Sequence, residues 1–269
     1  MLNPDKYRVS EGKKLNLADI PSRDDGGLEK EAAHEEFERL HRRLIERESL
    51  FYADKRHAML IVLQGMDTSG KDSTIRRVFS GVGPSAIRVA EFKAPTELEL
   101  RHDFLWRVHA EAPRRGRIVV FNRSHYEDVL IVRVNGLIPE ERWKGRYEHI
   151  NAFERLLADE GTVILKFFLH ISRDEQRKQL QERLDTPEKQ WKFSPDDLKV
   201  RAKWNDYQEA YEDALRKCST ERAPWYVVPA ERRWFRNLLV TRVIVDALES
   251  LDLRYPKPAY DPKSIRIDE

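Results

Sequence analysis

Gly65, four intervening residues, Gly70 and Lys71 (GMDTSGK) match the pattern GxxxxGK. In that pattern a tight turn aims successive backbone N–H groups at one point, and the lysine adds a mobile positive charge. The arrangement suits a phosphate cradle made of Gly65, Met66, Thr68, Ser69, Gly70 and Lys71, with Asp72 and Ser73 opening the next segment. A chance spacing of two glycines and a lysine is the plain alternative, and the flanking elements decide between them. Nucleotide-hydrolysing loops mostly follow the lysine with Ser or Thr, whose hydroxyl helps hold magnesium between phosphates. Here Asp72 takes that place and a second carboxylate, Asp67, sits inside the loop. Carboxylates facing phosphates repel them unless divalent cations lie between, so the loop predicts a metal and a donor that need not be an ordinary nucleoside triphosphate.

A second informative stretch is FNRSHYEDVLIVRV, which begins at Phe121. In phosphate-loop enzymes a strand beside the loop strand carries, at its C-terminal end, a residue that reaches the metal. That position is Asn122. An amide is a weaker cation ligand than a carboxylate, so Glu127 and Asp128, about one helical turn on, are the expected compensating ligands. Arg123 is placed to meet developing charge, although an arginine after a strand can equally form a structural ion pair. His125 and His170 are the candidate general bases; where the acceptor is itself a phosphate no base is needed, and both then read as structural.

These residues need particular elements to hold them. Ala58 to Leu63 is a continuous apolar run, read as a strand buried on both faces, and Lys71 to Phe79 continues as a helix. Strand and helix then alternate. Strands are expected at Ala86–Phe92, Ile118–Phe121, Thr162–Leu169 and Trp225–Val228, which makes the fold α/β, a doubly wound parallel sheet. A helix should run from a capping box at Thr96 and Glu99 to about His109, with Leu98, Leu105 and Val108 inward. Others are expected at Leu28–Phe51, Trp143–Leu157 and Trp234–Leu251, the last with Leu238, Leu239, Val243, Ala247 and Leu248 facing in. Ser172 and Glu175 repeat the capping-box pattern. From residue 172 to 217 the chain is highly charged and cut by Pro187 and Pro195, with Trp191 and Trp204 read as exposed or half-exposed. It reads as a helical lid offering Arg183, Lys189 and Lys192 to phosphates, or as a solvated hairpin. Arg114, Arg115 and Arg117 are expected to be solvated surface.

The 269 residues, 40% hydrophobic and 36% charged, are enough for one domain with an ample core, so residues 1–269 are left undivided. Residues 1–51 are its N-terminal arm and helix. No run approaches membrane-spanning length, no secretory signal pattern opens the chain, and Cys218 is the lone cysteine, which together point to a cytoplasmic enzyme. The net charge of +2 gives no case for nucleic acid as a partner. A long anion would need a local groove, for which Arg76, Arg77, Lys93 and Arg133 are candidates. The charged N-terminal helix and the aromatic-rich end could serve a subunit contact, so a homo-oligomer is expected.

Three stretches, QGMDTSGKDSTIRRV, FNRSHYEDVLIVRV and the run from RLDTPEKQWKFSPDDL to RAKWNDYQEAYEDAL, resemble the second family of polyphosphate kinases. The resemblance implies a P-loop kinase-like core with a helical lid, dependence on Mg2+, and transfer of the terminal phosphate of inorganic polyphosphate to a nucleotide. It also implies Asp67 as a metal-linked carboxylate, Lys71 on the moving phosphoryl group, and Arg123 and Arg183 in charge stabilisation. The subgroup restricted to diphosphates looks like Asp-Arg-Ser-Trp-Tyr at the strand end, where this chain has Asn122, Arg123, Ser124, His125 and Tyr126. That difference resembles the subgroup accepting mono- and diphosphates, with Glu127 supplying the acid, and implies AMP and ADP as acceptors, adenine before guanine. An ATP-dependent kinase of a small metabolite and a non-catalytic nucleotide- or polyanion-binding protein are the other classes the loop allows.

Overall fold

A computed structural model describes residues 2–267. In chain order the elements are α1 (Lys30–Asp54), β1 (Ala58–Gln64), α2 (Lys71–Val78), β2 (Ile87–Glu91), α3 (Glu97–Leu100), α4 (Trp106–Ala110) and β3 (Ile118–Asn122). There follow α5 (Ile131–Val134), α6 (Glu140–Asp159), β4 (Thr162–His170), α7 (Arg173–Asp185), α8 (Pro195–Ala202), α9 (Trp204–Cys218), β5 (Trp225–Pro229) and α10 (Arg233–Ser250).

The five strands form one parallel sheet in the order β2-β3-β1-β4-β5. Its central members β1 and β3 are buried along their whole length, as continuous apolar runs in a parallel sheet must be. Two helical groups sandwich the sheet: α1, α2 and α10 pack on one another, while α6 meets α9 and β4 on the other side. Each fully buried Leu, Ile or Phe in these layers contributes roughly 1.5–3 kcal/mol relative to exposure. Because the strands are parallel, all their C-terminal ends lie at one edge. The loop after β1 and the turn after β3 are therefore neighbours, with Leu63 paired to Asn122.

The N-terminal arm crosses the far edge. Arg8 bridges antiparallel to Tyr226, and the Val9 N–H donates to the Trp225 carbonyl at 2.8 Å. Farther along, the Leu17 N–H donates to Glu212 at 2.8 Å, and the Ile20 carbonyl lies 3.0 Å from His170 Nε2.

The expected 96–109 helix is two short ones. The Thr96–Glu99 capping box forms, but Asp103 Oδ1 accepts the Leu105 N–H at 3.0 Å and turns the chain between α3 and α4. Leu98 is consequently exposed, while Val108 is buried. At Ser172 only half a capping box exists: Ser172 Oγ accepts from the Glu175 N–H, whereas the Glu175 carboxylate accepts from Gln179. Trp191 is exposed, but Trp204 is buried with Tyr207, Ala210, Tyr211 and Ala214 on the inner face of α9. That face joins the core, so α9 is not a cover, and only α7, α8 and the turn between them stand out from the body. No helix among the described residues is long and apolar enough to cross a membrane.

Candidate active site

The loop between β1 and α2 is held open by its own backbone. Gly65 has φ of 151° and Gly70 of 94°, and a Cβ on Gly65 would come within 2.7 Å of the Leu169 carbonyl oxygen at the end of β4. Only glycine fits there. Thr68 also has positive φ, at 69°, which is strained for a β-branched residue. Lys71, almost wholly buried, folds back so that Nζ donates to the Gly65 carbonyl at 2.8 Å and the Met66 carbonyl at 3.3 Å. Burial, reinforced by the neighbouring Arg123 charge, lowers its pKa to about 8 against the pull of Asp67, Glu127 and Asp72. The buried side-chain oxygens of Thr68 and Ser69 and Oε1 of Gln64 have no hydrogen-bond partner among the described residues. Unpartnered polar atoms at this density mark a surface built for a polar ligand.

The β3 turn supplies the facing wall. Arg123, itself at φ 61°, donates from Nη2 to Asp67 Oδ1 at 2.6 Å and lies 3.7 Å from Glu127. Burial works against its charge, but Glu127 and Asp67 outweigh it and hold the guanidinium firmly protonated. Asn122 Nδ2 donates to Asp72 Oδ1 at 2.7 Å, tying the last residue of β3 to the first turn of α2. Burial raises the Glu127 pKa, with Asp67 adding and Arg123 and Lys71 opposing, so this carboxyl gains from any further cation. Asp67, Asp72, Asn122, Arg123 and Glu127 thus share one site with Lys71.

Several expected residues stand elsewhere. Asp128 does not face the loop: it accepts from Arg146 at 2.9 Å and borders a cavity of about 700 Å³ lined by Arg107, Arg146, Phe104, His149 and Phe153. The short turn after β3 explains this, since successive side chains of a 3₁₀ turn diverge by about 120°. Arg133 is engaged by Asp213 at 2.7 Å and stacks over Trp143, away from any track beside the loop. Lys93 is solvated near Glu91, Lys189 pairs with Glu182, and Lys192 lies over the exposed Trp191 ring. Arg76 is exposed on α2. Arg183 folds into α8, donating to the Lys192 carbonyl at 3.0 Å and to Asp197 at 3.2 Å. Asp197 in turn has its carboxyl pushed up by burial and by Asp67, so α8 presents an acid towards the loop.

Other members of the site lack a local sequence signal. Gln176 of α7 donates to the Asp67 carbonyl at 3.3 Å and is itself held by Arg201 at 3.2 Å, which fastens the covering helices to the loop. Tyr211 is buried, and burial followed by Glu127 drives its pKa well up. Behind the turn lies a fully buried polar cluster. Lys166 Nζ donates to Tyr126 Oη at 2.8 Å and to the Cys218 carbonyl at 2.6 Å, and pairs with Glu154, which also meets Tyr126 at 2.8 Å and His125 at 3.1 Å. It anchors His125 and Tyr126, the residues between Arg123 and Glu127 in the turn, and accounts for His125 without a catalytic role.

No group of three His, Cys, Asp or Glu side chains that could alone hold a metal occurs among the described residues. Magnesium commonly takes one or two carboxylates and completes its shell with water and substrate phosphate, and the Asp67–Glu127 pair beside the loop fits that mode.

Residues 27–256 match the family Polyphosphate kinase 2. The chain is 55% identical, over 98% of its length and 99% of the relative's, to a protein of Meiothermus ruber named AMP/ADP-polyphosphate phosphotransferase. It is 46% identical, over 94% of its length and 92% of the relative's, to one of Rhodopseudomonas palustris named ADP-polyphosphate phosphotransferase. The crystal structure of polyphosphate kinase 2 from Arthrobacter aurescens superposes with a TM-score of 0.92 at 40% identity, over 97% of this chain and 93% of that one. The P-loop with acidic residues on both sides of its lysine and the Asn122–Arg123 turn that faces it lie within a family match and full-length relatives that cover nearly the whole sequence: the chain belongs to the polyphosphate kinase 2 family.

Proposed function

We propose that the protein moves the terminal phosphate of inorganic polyphosphate to AMP and to ADP, with magnesium. The observation that carries this is the 2.7 Å bond from Asn122 to Asp72. It fills with a carboxylate the place where ordinary nucleotide-hydrolysing loops keep a metal-binding hydroxyl, and leaves Asp67 and Glu127 as the acids that would hold magnesium. The name of the Meiothermus ruber relative supports both acceptors. Bound magnesium would supply positive charge shared between phosphate oxygens.

The chain's own groups account for the rest. The loop N–H groups and Lys71 meet the oxygens of the transferred phosphoryl group, and Arg123 faces them from the β3 side. On this reading Lys71 leaves its resting carbonyls when phosphate arrives. Arg183, released from Asp197, would bring a further charge as α7 and α8 close. The acceptor is a phosphate oxygen already deprotonated at neutral pH, so transfer proceeds in line without a base.

The test is product analysis after incubation with magnesium and long-chain polyphosphate, separately with AMP and ADP, against controls lacking polyphosphate. ADP and ATP appearing from AMP is the expected result. Product from ADP alone would remove AMP as an acceptor, and ATP consumption on a metabolite mixture without use of polyphosphate would replace the donor.

A further inference from the structure

Arg236 lies in the first turn of α10 with 2% of its surface exposed. Buried Lys166 has Glu154 as a carboxylate partner, and the half-buried Arg146 and Arg242 have Asp128 and Glu36; the other buried cation without one among the described residues is Lys71 of the phosphate loop itself. Arg236 has none among the described residues. Its Nε and Nη2 donate to the neutral Asn237 Oδ1 at 3.2 and 3.1 Å, and Nη2 also to Ser73 Oγ at 3.0 Å. Nη1 donates to no acceptor among the described residues and is not among the fully buried unpartnered atoms. It lies against Gly70, where any Cβ would overlap it. Burial and the positive charge of Arg233 lower its pKa only to about 10, so it is charged at neutral pH.

A guanidinium without a counter-charge is therefore packed against Gly70 and Ser73, at the positive end of the α2 dipole. In the free protein this convergence is unfavourable, since cations at a helix N-terminus are repelled. An anion reverses the sign. Strand order places Arg123 on the β3 side of the loop, whereas α10 follows β5 and reaches the loop from the other flank, against α2. Arg233, three residues before Arg236 on the same helix, has no carboxylate partner within 4 Å among the described residues. Two guanidinium groups one turn apart suit a chain of phosphates better than a single one.

The geometry points to Arg236 as a phosphate-binding residue of the donor: it holds the phosphate next to the one in the loop, and the polyphosphate chain leaves over Ser73 towards Arg233. The identity of the anion rests on the function proposed above; the existence of an anion subsite does not.

The test uses calorimetric binding of inorganic tripolyphosphate and, separately, of AMP. Arg236→Met should weaken tripolyphosphate binding about tenfold or more, as loss of a charge-assisted contact does, and leave AMP within about twofold. Asn237→Asp is the sharper variant, because it places a carboxylate on the guanidinium with almost no change of shape. It should raise the melting temperature of the free protein while weakening tripolyphosphate binding about fivefold or more. A purely structural Arg236 predicts higher stability and unchanged affinity. Wild-type affinity in folded Asn237→Asp, or no tripolyphosphate binding by the wild type, overturns the proposal even if Arg236→Met fails to fold. Loss of AMP affinity in place of tripolyphosphate affinity overturns the donor assignment. Failure of the proposed function shows separately, as absence of nucleotide product from polyphosphate with the calorimetry unaffected.

Discussion

Replacing Lys71 by Met tests the centre of the mechanism, because the structure sets stability and activity effects of different size. In the free protein the buried ammonium has a pKa of about 8 where an ordinary lysine has 10.5, a penalty for carrying the charge of about 3 kcal/mol. Met removes the penalty. It also removes the bonds to the Gly65 and Met66 carbonyls, each worth roughly 1.5–3 kcal/mol for a charged donor. The two effects offset, so the melting temperature should move by only a few degrees in either direction. Activity has no such compensation: loss of a fixed charge on the transferred group should lower kcat/KM by about 10²–10³. The wild type carries a second signature. Because the folded pKa lies below the unfolded one, the unfolded chain binds the proton more tightly, and stability of the free protein rises between pH 8 and 10.5. Over the same range the free enzyme loses the Lys71 charge, so kcat/KM for polyphosphate should fall with an alkaline limb near pH 8. Lys71→Arg, which stays charged, should lack that limb whatever its absolute rate. Coupled nucleotide assays across pH, with melting curves on the same samples, measure both. More than a tenth of wild-type kcat/KM in Lys71→Met, or an unchanged alkaline limb in Lys71→Arg, would refute the reasoning.

Asp67→Ala should lower turnover by at least about 10²-fold, and chelation with EDTA should abolish wild-type turnover until magnesium is restored; near-normal rates in either case would remove Asp67 and the metal from the mechanism. Gly65→Ala forces a Cβ against the Leu169 carbonyl at φ 151°, and should lose phosphate binding, read by calorimetry with tripolyphosphate, with a stability loss of about 1–3 kcal/mol. Lys166→Met strands the Glu154 carboxylate in the core and should cost about 3–5 kcal/mol in chemical denaturation, whereas adding Glu154→Leu should recover most of it. Equal stability of single and double variants would show that the cluster is not coupled.

The fold is legible because its signals are local. A short apolar run such as MLIVL, bounded by a glycine turn, reads as a strand buried on both faces, and that turn fixes where the helix must start. The sequence stretch after Asn122 likewise brings Arg123 and Glu127 to the loop by register alone. What escapes is decided by distant partners. Asp128, aimed away by the 3₁₀ turn, is held there by Arg146, eighteen residues on, and Arg133 is taken by Asp213, eighty residues on. Gln176, Asp197 and Arg236 reach the site from α7, α8 and α10, each too far along the chain for spacing to reveal it. The Thr96 helix fails for a local reason of another kind: Asp103 competes for a backbone N–H, which apolar periodicity does not register. Trp204 was readable. Its spacing to Tyr207, Tyr211 and Ala214 is that of a core-facing helix, outweighed in the sequence by the charge around it.

The N-terminal arm bears on how this sheet avoids pairing edge to edge with another chain. A five-stranded open sheet has two bare edges, each a template for pairing with another chain. β2 guards one with charged side chains, Arg88 and Glu91. β5 carries Trp225, Tyr226, Val227 and Val228 and has no such charge; its guard is the arm itself, capping the strand through Arg8 and Val9. The first dozen residues therefore act as a built-in blocking strand. A chain trimmed of them would expose an apolar edge of high β-propensity and gain a route to aggregation that the intact chain closes as soon as it folds.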